Sequence, residues 1–424
     1  MAAEMLIDEL KRRGLFAQAS DEDGLVQHLD SGSRTLYCGF DPTAESLQIG
    51  NLVPLLTLRR FQAKGHRPIL LLGGATGLIG DPSGRGDERN LNDSGLVEVW
   101  VERIRAQVEP FLDFSGNVAA VIVNNLDWTK DLDVIGFLRD IGKHFSVNAM
   151  IQRESVKSRL DRKGEGISYT EFSYMLLQAN DFLELARRHG CSVQIGGSDQ
   201  WGNIVSGMDL VRRQLGGEAF ALTVPLVTKA DGTKFGKTAA GAIWLDPAKT
   251  SPYVFYQFWL NSSDDDVIKF LKVFTFIGLD EIAELEATVA SEPQSRVGQL
   301  RLAEHVTNLV HGAKALASAK RISECLFGGS LETLTEGDLE QLKLDGMDCT
   351  QLAEDSVGLL FAAAESGLVP SRGAARKLVQ SKGLSVNGIV QDDSERNLDW
   401  SDALFGRFYL MRRGKKNWHL LVRA

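Results

Sequence analysis

The stretch that decides the fold is Thr35-Leu-Tyr-Cys-Gly-Phe, followed by a helix-like segment from Asn51 to Lys64 and then by Pro68-Ile-Leu-Leu-Leu-Gly-Gly. The first and last pieces are short apolar runs typical of buried strands, and the piece between them has helical periodicity. A strand, a helix and a strand at this spacing predict a βαβ unit of a parallel sheet. Such a sheet carries its site at the carboxyl ends of the strands.

Further strands are predicted outward from this unit. The candidates are Val118-Ala-Ala-Val-Ile-Val, Ser192-Val-Gln-Ile and Ala221-Leu-Thr-Val-Pro-Leu-Val. The sequence therefore predicts an α/β fold with a Rossmann-like, doubly wound parallel sheet. The piece between about residues 131 and 190 is too long for a simple crossover connection, so we expect inserted helices there.

The chain of 424 residues is long enough for two or three domains. We expect a Rossmann-like domain over 1–227, with the helical insertion at about 131–190, and then a lysine-containing loop and an all-α domain over 228–327. The mixture of Gly, Thr, Asp and Glu after residue 328 favours a linker region over 328–365. A small α+β domain is expected over 366–424, where Asn387-Gly388 predicts a type I′ hairpin turn.

The composition argues against several protein classes. Hydrophobic residues make up 43% and charged residues 24% of the chain, as in a folded soluble protein. The first ten residues carry acids where a secretory signal carries bases, and no apolar run approaches the ~20 residues of a membrane span. We therefore expect a cytoplasmic protein without a membrane partner. The cysteines Cys38, Cys191, Cys325 and Cys349 form no CxxC pair, so we expect mostly buried, reduced thiols and no structural zinc.

Charge is distributed unevenly along the chain. From Ser366 to Ala424, eleven Lys and Arg residues stand against five Asp and Glu residues, a net charge of +6, whereas the rest of the chain carries −15 of the total of −9. An acidic body with a basic tail suggests a polyanionic partner for the tail. A solvated basic face would have the same composition, so both interpretations stay open at this point.

Two glycine-containing segments are candidates for a phosphate site. Gly50 lies after the first predicted strand and before a helix, whose N-terminal N–H groups attract anions. An ordinary strand-to-helix turn explains the same pattern. Lys234 and Lys237 flank Phe235-Gly236 in a polar loop that can fold over a triphosphate, although a solvated surface loop has the same composition. Neither P-loop nor GxGxxG spacing occurs in these segments.

A third segment predicts a helix with a polar stripe. Ser168 and Glu171 have the spacing of a capping box, so a helix is expected to begin here. Along that helix Tyr174, Gln178 and Asp181 follow at i, i+4 and i+7, which places them on one face between apolar packing sides. Such a stripe is either a solvent-facing surface or the wall of a pocket.

Five longer strings carry a resemblance to a known family. They are Tyr37-Cys-Gly-Phe-Asp-Pro-Thr-Ala, Gly73-Gly-Ala-Thr-Gly-Leu-Ile-Gly-Asp-Pro-Ser, Gly142-Lys-His-Phe-Ser-Val-Asn, Gln194-Ile-Gly-Gly-Ser-Asp-Gln-Trp-Gly-Asn and Lys229-Ala-Asp-Gly-Thr-Lys-Phe-Gly-Lys-Thr. In their order and intervals they resemble bacterial tyrosyl-tRNA synthetases, which are class I enzymes, over nearly the whole chain. The resemblance implies activation of L-tyrosine with ATP to tyrosyl-adenylate, release of pyrophosphate, and transfer of tyrosine to the 3′-terminal adenosine of tRNA(Tyr).

The resemblance also implies a tyrosine pocket. The matching positions are Tyr37, Asp81, Asn125, Tyr174, Gln178, Asp181 and Gln200. Of these, Tyr37 and Asp181 are expected to hydrogen-bond the phenol hydroxyl group. Asp81, Tyr174 and Gln178 are expected to hold the ammonium group, with the other two side chains nearby, because an anion and neutral acceptors suit a cation.

The expected contacts to ATP follow from the same resemblance. The catalytic positions are Gln48, Asn51, Lys234, Lys237, Arg85 and Arg89, and the ATP-binding positions are Gly39, Asp41, Gly50, Asp199 and Lys237. The lysines and arginines match bases that hold pyrophosphate in the transition state, and Asp199 matches a contact to the ribose. ATP is expected as a substrate together with Mg²⁺, and we expect no tightly bound cofactor and no metal site in the protein.

The tail from Ser366 resembles the S4-type RNA-binding domain of these enzymes, which favours a nucleic-acid partner for its positive charge. The expected tRNA contacts are Arg372, Arg376, Lys377, Arg412, Arg413, Lys415 and Lys416. The family also implies a homodimer whose interface is formed by the inserted helices around Gly142 to Tyr169.

The chain departs from the family pattern after the first strand. Gln48-Ile-Gly-Asn51 stands where the family usually has His-x-Gly-His. Both amides can donate neutral hydrogen bonds, as imidazole can, so the geometry can be retained while charge assistance is lost. The departure keeps open a non-catalytic RNA-binding relative of the same fold. A tryptophanyl-tRNA synthetase is a second alternative, against which Tyr37 and Asp181 argue because an indole has no hydroxyl group.

Overall fold

The computed structural model describes residues 2–83, 92–153, 156–157, 160–161, 166–233, 235–238, 241–327, 330–354, 356–414 and 417–424. The chain divides into two compact units. Unit 1 comprises Met1–Lys249 with Ser262–Leu302, and unit 2 comprises Thr250–Asn261 with Ala303–Ala424. The segment boundaries drawn from the sequence at residues 227, 327 and 365 divide the chain differently and stay predictions.

Unit 1 is built around a six-stranded sheet with the order β1-β6-β5-β2-β3-β4. The strands are β1 Gln18–Ala19, β2 Thr35–Phe40, β3 Arg67–Leu72, β4 Val121–Asn124, β5 Cys191–Gly197 and β6 Phe220–Val224. All neighbours run parallel except β1, which is antiparallel to β6. The predicted Rossmann-like sheet is therefore confirmed. A separate two-stranded antiparallel sheet in unit 1 pairs β7 Lys237–Thr238 with β8 Gly241–Ala242. β6 ends before Pro225, which has no N–H group for the ladder.

Helices cover the sheet and form the rest of unit 1. Their bounds are Ala2–Arg12, Glu22–Asp30, Leu52–Ala63, Thr76–Ile79, Ser94–Val108, Leu126–Thr129, Val134–Gly136, Val147–Ile151, Tyr169–His189, Trp201–Leu215, Asp264–Phe274 and Leu279–Ser291. A π-helix at Phe137–Ile141 lies in the predicted insertion. Ser168 caps the helix Tyr169–His189 by accepting the Glu171 N–H, which confirms the predicted start of that helix.

The side of the sheet on which the chain adds strands changes between β2 and β5, although these two strands run parallel. From β2 the chain proceeds to β3 and β4 on one side, and it later returns through β5 and β6 on the other. At such a switch point the loops diverge and leave a crevice beyond the carboxyl ends of the strands. Tyr37 lies at this place, paired with Ile69 of β3 and with Gln194 of β5.

Unit 2 contains a five-stranded sheet with the order β12-β11-β14-β15-β9 and a two-stranded sheet of β10 and β13. These strands are β9 Cys349–Leu352, β10 Ser356–Gly358, β11 Leu384–Val386, β12 Ile389–Val390, β13 Asn397–Asp399, β14 Phe408–Arg413 and β15 Asn417–Arg423. The helices are Pro252–Leu260, Glu336–Leu344, Leu359–Glu365 and Arg372–Gln380. Unit 2 also contains the part from Ala303 onwards of the helix Val297–Leu326, which is broken at Gly312. Asn387 and Gly388 both have positive φ, as the predicted hairpin turn requires.

The stretch predicted as a linker from its polar composition is part of the packed structure of unit 2. Thr335 and Asp338 form a capping box at the start of the helix Glu336–Leu344. Leu339 and Leu342 of this helix are buried in a cluster with Phe408. The next strand, β9, pairs with β15. Composition missed these elements because a few buried leucines, set among polar residues, hold the helix in place.

Two further observations concern the whole chain. Cys38, Cys191 and Cys325 are buried and Cys349 is exposed, and all four are free thiols. Within the ranges that the structure describes, no helix has the length and apolar character needed to cross a membrane.

Candidate active site

The innermost part of the crevice is a buried polar cluster, the inner cluster, formed by Tyr37, Asn125, Trp128 and Asp181. Asp181 lies on the helix Tyr169–His189 and is 2% exposed. Its carboxylate accepts hydrogen bonds of 2.9 Å from the side-chain N–H groups of both Asn125 and Trp128. Tyr174 and Asp181 of the predicted polar stripe are therefore buried, and the stripe is not a solvent-facing surface.

Tyr37 has an unsatisfied hydroxyl group in this cluster. The residue is 1% exposed, and its oxygen has no hydrogen-bond partner among the described residues. A buried hydroxyl without a partner costs free energy, so one expects a group from outside the chain to complete it. Its ring packs edge-on against Phe182, with the ring centroids 5.3 Å apart, which fixes the direction of the hydroxyl group.

Burial governs ionisation in the inner cluster. It raises the pKa of Tyr37 well above the ordinary value, and the nearby Asp181 carboxylate adds to the effect. Burial also raises the pKa of Asp181 to about 7, although the N–H donors of Asn125 and Trp128 favour the ionised form. The cluster therefore keeps the Tyr37 hydroxyl protonated and leaves Asp181 poised to titrate near neutrality.

A second group, the middle cluster, consists of Asp41, Thr76, Asp81, Tyr174 and Gln200. The Tyr174 hydroxyl and the Thr76 hydroxyl each donate to Asp41 over 2.6 Å. The Gln200 amide donates to Asp81 over 2.7 Å. Two carboxylates held in place by neutral donors form an arrangement that can bind a cation.

Two glutamines carry buried side-chain oxygens that accept no hydrogen bond from the described residues. The Oε1 atoms of Gln178 and Gln194 are buried and have no hydrogen-bond partner among the described residues. Gln178 was expected at the site, whereas the sequence reasoning gave Gln194 no role. Its place in the string Gln194-Ile-Gly-Gly-Ser, which carries the family resemblance, is the sequence signal that would have found it, and the register of β2 and β5 pairs it with Tyr37.

Other contacts were also missed from the sequence. Thr76 accepts a hydrogen bond of 2.9 Å from Asn125 while it donates to Asp41, so it joins the inner and middle clusters. Trp128 holds Asp181 directly. Asn125, which the resemblance placed near the ammonium group, belongs to the inner cluster. No local motif reports such contacts, because 53 residues separate Trp128 from Asp181.

Gly73 shows how closely the backbone approaches this site. A Cβ atom at Gly73 would lie 2.0 Å from Oδ1 of Asp41 and 2.5 Å from the Thr76 hydroxyl oxygen. Any side chain there would displace the carboxylate that Tyr174 binds. The glycine is thus required for the middle cluster to form.

The outer edge of the crevice contains Gln48, Gly50 and Asn51. The backbone N–H of Gln48 donates to the Asn51 side-chain oxygen over 2.9 Å, so the N–H₂ group of that amide is not used in this bond. A Cβ atom at Gly50 would meet nothing within 4 Å, so the chain itself does not require a glycine there. Open space beside Gly50 at a helix start suits the approach of an anionic ligand.

The described part of the lysine loop, residues 228–233 and 235–238, lies next to this edge. Gly236 has a φ of 78°, and a Cβ atom there would be 2.6 Å from Cγ2 of Ile49. Ile49 in turn donates its N–H to Ile243, which donates to the Gly236 carbonyl. Lys237 is exposed in this loop. The structure thus brings Lys237 and the segment Gln48 to Asn51 to the same side of unit 1.

The remaining expected site residues of unit 1 are Gly39, Asp199 and three basic residues. Gly39 lies on β2, and a Cβ atom there would make only an ordinary contact of 3.6 Å with Leu71. Asp199 is exposed at the surface, but partial desolvation of its carboxylate by the surrounding protein still raises its pKa, and the nearby Asp81 adds to that effect. Arg85, Arg89 and Lys234 lie outside the described residues.

In unit 2, the side chains of the expected nucleic-acid contacts differ in their partners and in their exposure. Arg372 stacks on Phe361 and Arg376 pairs with Glu395, and Lys377 is exposed. Arg412 lies over Trp418, and Arg413 donates to the Leu368 carbonyl. Lys415 and Lys416 lie outside the described residues.

Comparisons with known proteins agree with this architecture. The family model of tRNA synthetases class I (W and Y) matches residues 30–328, and that of the tyrosine–tRNA ligase SYY-like C-terminal domain matches residues 338–421. A tyrosine–tRNA ligase of Escherichia fergusonii is 56% identical over 422 residues, which cover 99% of each chain.

Solved structures are similar as well. A C-terminally truncated mitochondrial tyrosyl-tRNA synthetase of Aspergillus nidulans has a TM-score of 0.69 and 30% identity, over 76% of this chain and 94% of that one. The corresponding truncated enzyme of Coccidioides posadasii has a TM-score of 0.66 and 31% identity, over 74% of this chain and 90% of that one.

Proposed function

The chain belongs to the class I tRNA synthetases of the tryptophan and tyrosine type, and within them to the tyrosine–tRNA ligases. On that premise we propose that its crevice activates L-tyrosine with ATP to tyrosyl-adenylate and pyrophosphate, and then transfers tyrosine to the 3′-terminal adenosine of tRNA(Tyr). The observation that carries the assignment of the amino acid is the buried hydroxyl of Tyr37 beside Asp181, which has no partner in the part of the chain that the structure describes.

The inner cluster recognises the phenol hydroxyl of the substrate. The substrate hydroxyl donates to the Asp181 carboxylate and accepts from Tyr37, so both protein groups are satisfied on binding. Phenylalanine leaves the Tyr37 hydroxyl unpaired in a buried site and gives Asp181 no donor beyond Asn125 and Trp128, which costs affinity and rate. Tryptophan is disfavoured for the same reason, since an indole presents no hydroxyl group to this pair.

The middle cluster holds the ammonium group. Asp81 supplies the charge, Tyr174 and Gln178 supply neutral oxygens, and Gln200 orients Asp81 through its hydrogen bond of 2.7 Å. Asp41 acts through Tyr174, whose hydroxyl it already accepts. Fixing the ammonium group places the substrate carboxylate towards the outer edge of the crevice, where ATP enters.

The chemical step is a displacement at phosphorus. An oxygen of the tyrosine carboxylate attacks the α-phosphate, the bond from the α-phosphorus to the bridging oxygen breaks, and the electron pair leaves with pyrophosphate. No covalent intermediate with the enzyme is required, so catalysis is the preferential binding of the transition state. Positive charge and N–H donors near the leaving oxygens provide that binding.

The residues of the outer edge are proposed to act in this step. Gln48 and Asn51 donate neutral hydrogen bonds to the ATP phosphates, and Gly39 and Gly50 leave room for the nucleotide. Asp199 binds the ribose. The bases that hold the departing pyrophosphate are Lys234, Lys237, Arg85 and Arg89. Mg²⁺ enters with ATP as part of that substrate.

Unit 2 is proposed to bind the tRNA. Its segment from Ser366 has a net charge of +6, and phosphate neutralisation by Lys and Arg supplies most of the affinity of proteins for nucleic acids. Arg372, Arg376 and Lys377 lie on one helix, with Arg412 and Arg413 on β14. Lys415 and Lys416 are proposed as further contacts.

A second copy of the chain is the proposed partner of the inserted helices. Val134, Ile135 and Val147 are 72%, 68% and 56% exposed. Apolar side chains exposed together in a helical segment indicate a surface that another protein covers. The activity and this surface are consistent with a cytoplasmic homodimer.

Exchange of labelled pyrophosphate into ATP, measured with each of the twenty amino acids, tests the proposal. We expect exchange with tyrosine, and a charging assay with tRNA(Tyr) should then show transfer. A folded protein that exchanges with no amino acid while it still binds tRNA would instead support the non-catalytic alternative, for which the amides at Gln48 and Asn51 are the motivation. Exchange with tryptophan in preference to tyrosine would refute the role of the inner cluster.

A further inference from the structure

The lysine loop is attached to one face of the helix Asp264–Phe274, here called the platform helix. Asp266, Lys269, Phe270 and Phe274 follow at i, i+3, i+4 and i+8, which places them on one side of the helix. Each of these four side chains contacts the loop or the aromatic ring that the loop presents. A contact repeated at every turn of a helix indicates a built attachment and not an incidental approach.

Polar contacts fix the first part of the loop. Oδ1 of Asp266 accepts the backbone N–H of Ala230 over 2.8 Å, and the Lys269 ammonium group donates to the Thr228 carbonyl over 2.7 Å. Asp266 is 5% exposed, and Ser263 donates to its other carboxylate oxygen over 2.8 Å. The carboxylate is thus held in one orientation by its own helix terminus and presents a single oxygen to the loop.

Aromatic contacts fix the second part of the loop. The Phe235 ring stacks on Phe274, with the ring centroids 5.0 Å and the ring planes 22° apart. Phe270 is equally close to Phe235 at 5.0 Å, in a tilted arrangement. Phe270 and Phe274 are almost completely buried, so they form a rigid surface for the Phe235 ring. Phe235 directly precedes Gly236 and Lys237 along the chain.

The platform helix is itself fixed to the body of unit 1 by two buried arginines. Arg13 donates to the carbonyls of Lys272 and Ile277, over 3.3 and 2.8 Å, and Arg60 donates to the carbonyl of Thr275. These carbonyls lie at the C-terminal end of the helix, where cations are favourable. Arg60 belongs to the helix Leu52–Ala63, which begins directly after Asn51.

We propose that Asp266 and the pair Phe270 and Phe274 are positioning residues for adenylate formation, because they set the place of Lys237 relative to the Gln48 to Asn51 segment. The inference rests on the proposed role of Lys237. The path is continuous: Asn51 starts the helix that carries Arg60, Arg60 fixes the platform helix, and the platform helix holds the loop. Neither Asp266 nor the two phenylalanines touches a reacting group, so they act only through the loop.

The test combines Asp266→Ala with Lys237→Ala and measures adenylate formation in a single turnover. Misplacing a catalytic group by about 1 Å costs up to roughly a hundredfold in rate, so Asp266→Ala should slow the step by about ten- to a hundredfold. Its equilibrium affinity for tyrosine should be unchanged. The double variant should be no slower than Lys237→Ala alone, since a residue that acts through Lys237 has no effect once that lysine is absent.

Matched variants separate positioning from general destabilisation. Asp265→Asn changes an exposed carboxylate on the same helical turn and should leave the rate unchanged. Asp266→Asn keeps an oxygen that can accept the Ala230 N–H, so it should restore most of the rate. Phe274→Leu preserves an apolar contact without the stacked ring and should slow adenylate formation without weakening tyrosine binding, which keeps the proposal testable if Asp266→Ala does not fold.

Several results would overturn the proposal. Additive losses in the double variant would show that Asp266 acts independently of Lys237. Normal rates in Asp266→Ala and Phe274→Leu, beside a slow Lys237→Ala, would refute the positioning role alone. A normal rate in Lys237→Ala would refute the proposed function of that lysine, and the positioning role with it.

Discussion

At the inner end of the crevice, Asp181 is 2% exposed and both of its neighbours, Asn125 and Trp128, already donate to it. At the outer edge, Lys237 is exposed and the space beside Gly50 is open. The inner groups are assembled before any ligand arrives, because a buried carboxylate needs donors in the folded protein itself. The outer groups remain in water until phosphate charge is brought to them. In the proposed function, recognition of the phenol group therefore falls to buried residues, whereas neutralisation of phosphate charge falls to exposed ones.

The largest effect is expected at the outer edge. Lys237→Ala should lower the rate of adenylate formation by about a hundred- to a thousandfold, which is typical of removing one group that binds transition-state charge. Tyrosine affinity should hardly change, because the ammonium and phenol groups bind elsewhere. Rapid-quench kinetics and equilibrium binding measure the two quantities, with the exposed Lys64→Ala as a control. If Lys237→Ala instead weakens tyrosine binding and leaves the rate of adenylate formation unchanged, the proposed division between the inner and outer residues is wrong.

At the inner end, Tyr37→Phe should narrow the discrimination between tyrosine and phenylalanine by about 1–3 kcal/mol. The free energy of unfolding should increase, because the hydroxyl removed is buried and has no partner among the described residues. Asp181→Ala should narrow discrimination by a similar amount and also destabilise the protein, since it leaves the N–H groups of Asn125 and Trp128 unpaired. Steady-state kinetics with both amino acids and thermal unfolding measure these effects.

Tyr409→Phe is the matched control for that prediction. The Tyr409 hydroxyl donates to the Asp399 carbonyl in unit 2, so its loss should lower stability and leave amino-acid discrimination unchanged. If Tyr37→Phe discriminates as well as the parent, the inner cluster does not read the phenol hydroxyl.

A smaller gain is expected at Gln48 and Asn51. Replacing both amides with histidine should lower the activation free energy of adenylate formation by about 1–3 kcal/mol, which is the range of one or two improved hydrogen bonds. The affinity for ATP should not change. The single replacements should not add, since both positions address the same phosphates and the Gln48 N–H already donates to Asn51. Stopped-flow measurements on the four variants decide the question. No gain in the double variant would mean that the loop is adapted to its amides.

The smallest effect concerns pH. The Asp181 pKa of about 7 means that tyrosine affinity should rise with pH through neutrality, as the carboxylate becomes ionised and can accept the phenol hydroxyl. The same raised pKa makes the folded protein retain a proton that the unfolded chain has lost between about pH 4 and 7. The Asp181 contribution to the unfolding free energy should therefore decrease as pH rises through that window.

Asp181→Asn is the control for both pH effects, since it removes the titrating group. Tyrosine binding by calorimetry at several pH values, together with urea unfolding, gives both quantities. An affinity that does not depend on pH in the parent protein would show that Asp181 titrates well outside the neutral range.

Two segments of the crevice show which contacts cannot be predicted from the local sequence. The string Gly73-Gly-Ala-Thr-Gly-Leu-Ile contains Thr76, and yet nothing in it reveals that Thr76 links Asn125 to Asp41. The lysine loop was identified from its composition, whereas its attachment to Asp266 and Phe274 was not expected. In both cases the missing information is a contact between segments that lie far apart along the chain.

The sequence by itself determined the strands β2 to β6, the capped start of the helix at Ser168, the Asn387-Gly388 turn and the family. These features depend on residue periodicity, on hydrogen bonds within a few residues, and on strings that need no folding to be compared. Tertiary structure alone decided that Trp128 and Asn125 hold Asp181, that β9 joins the sheet of unit 2, and that the platform helix carries the lysine loop. Those outcomes depend on which distant groups are buried together, and burial is a property of the whole packed chain.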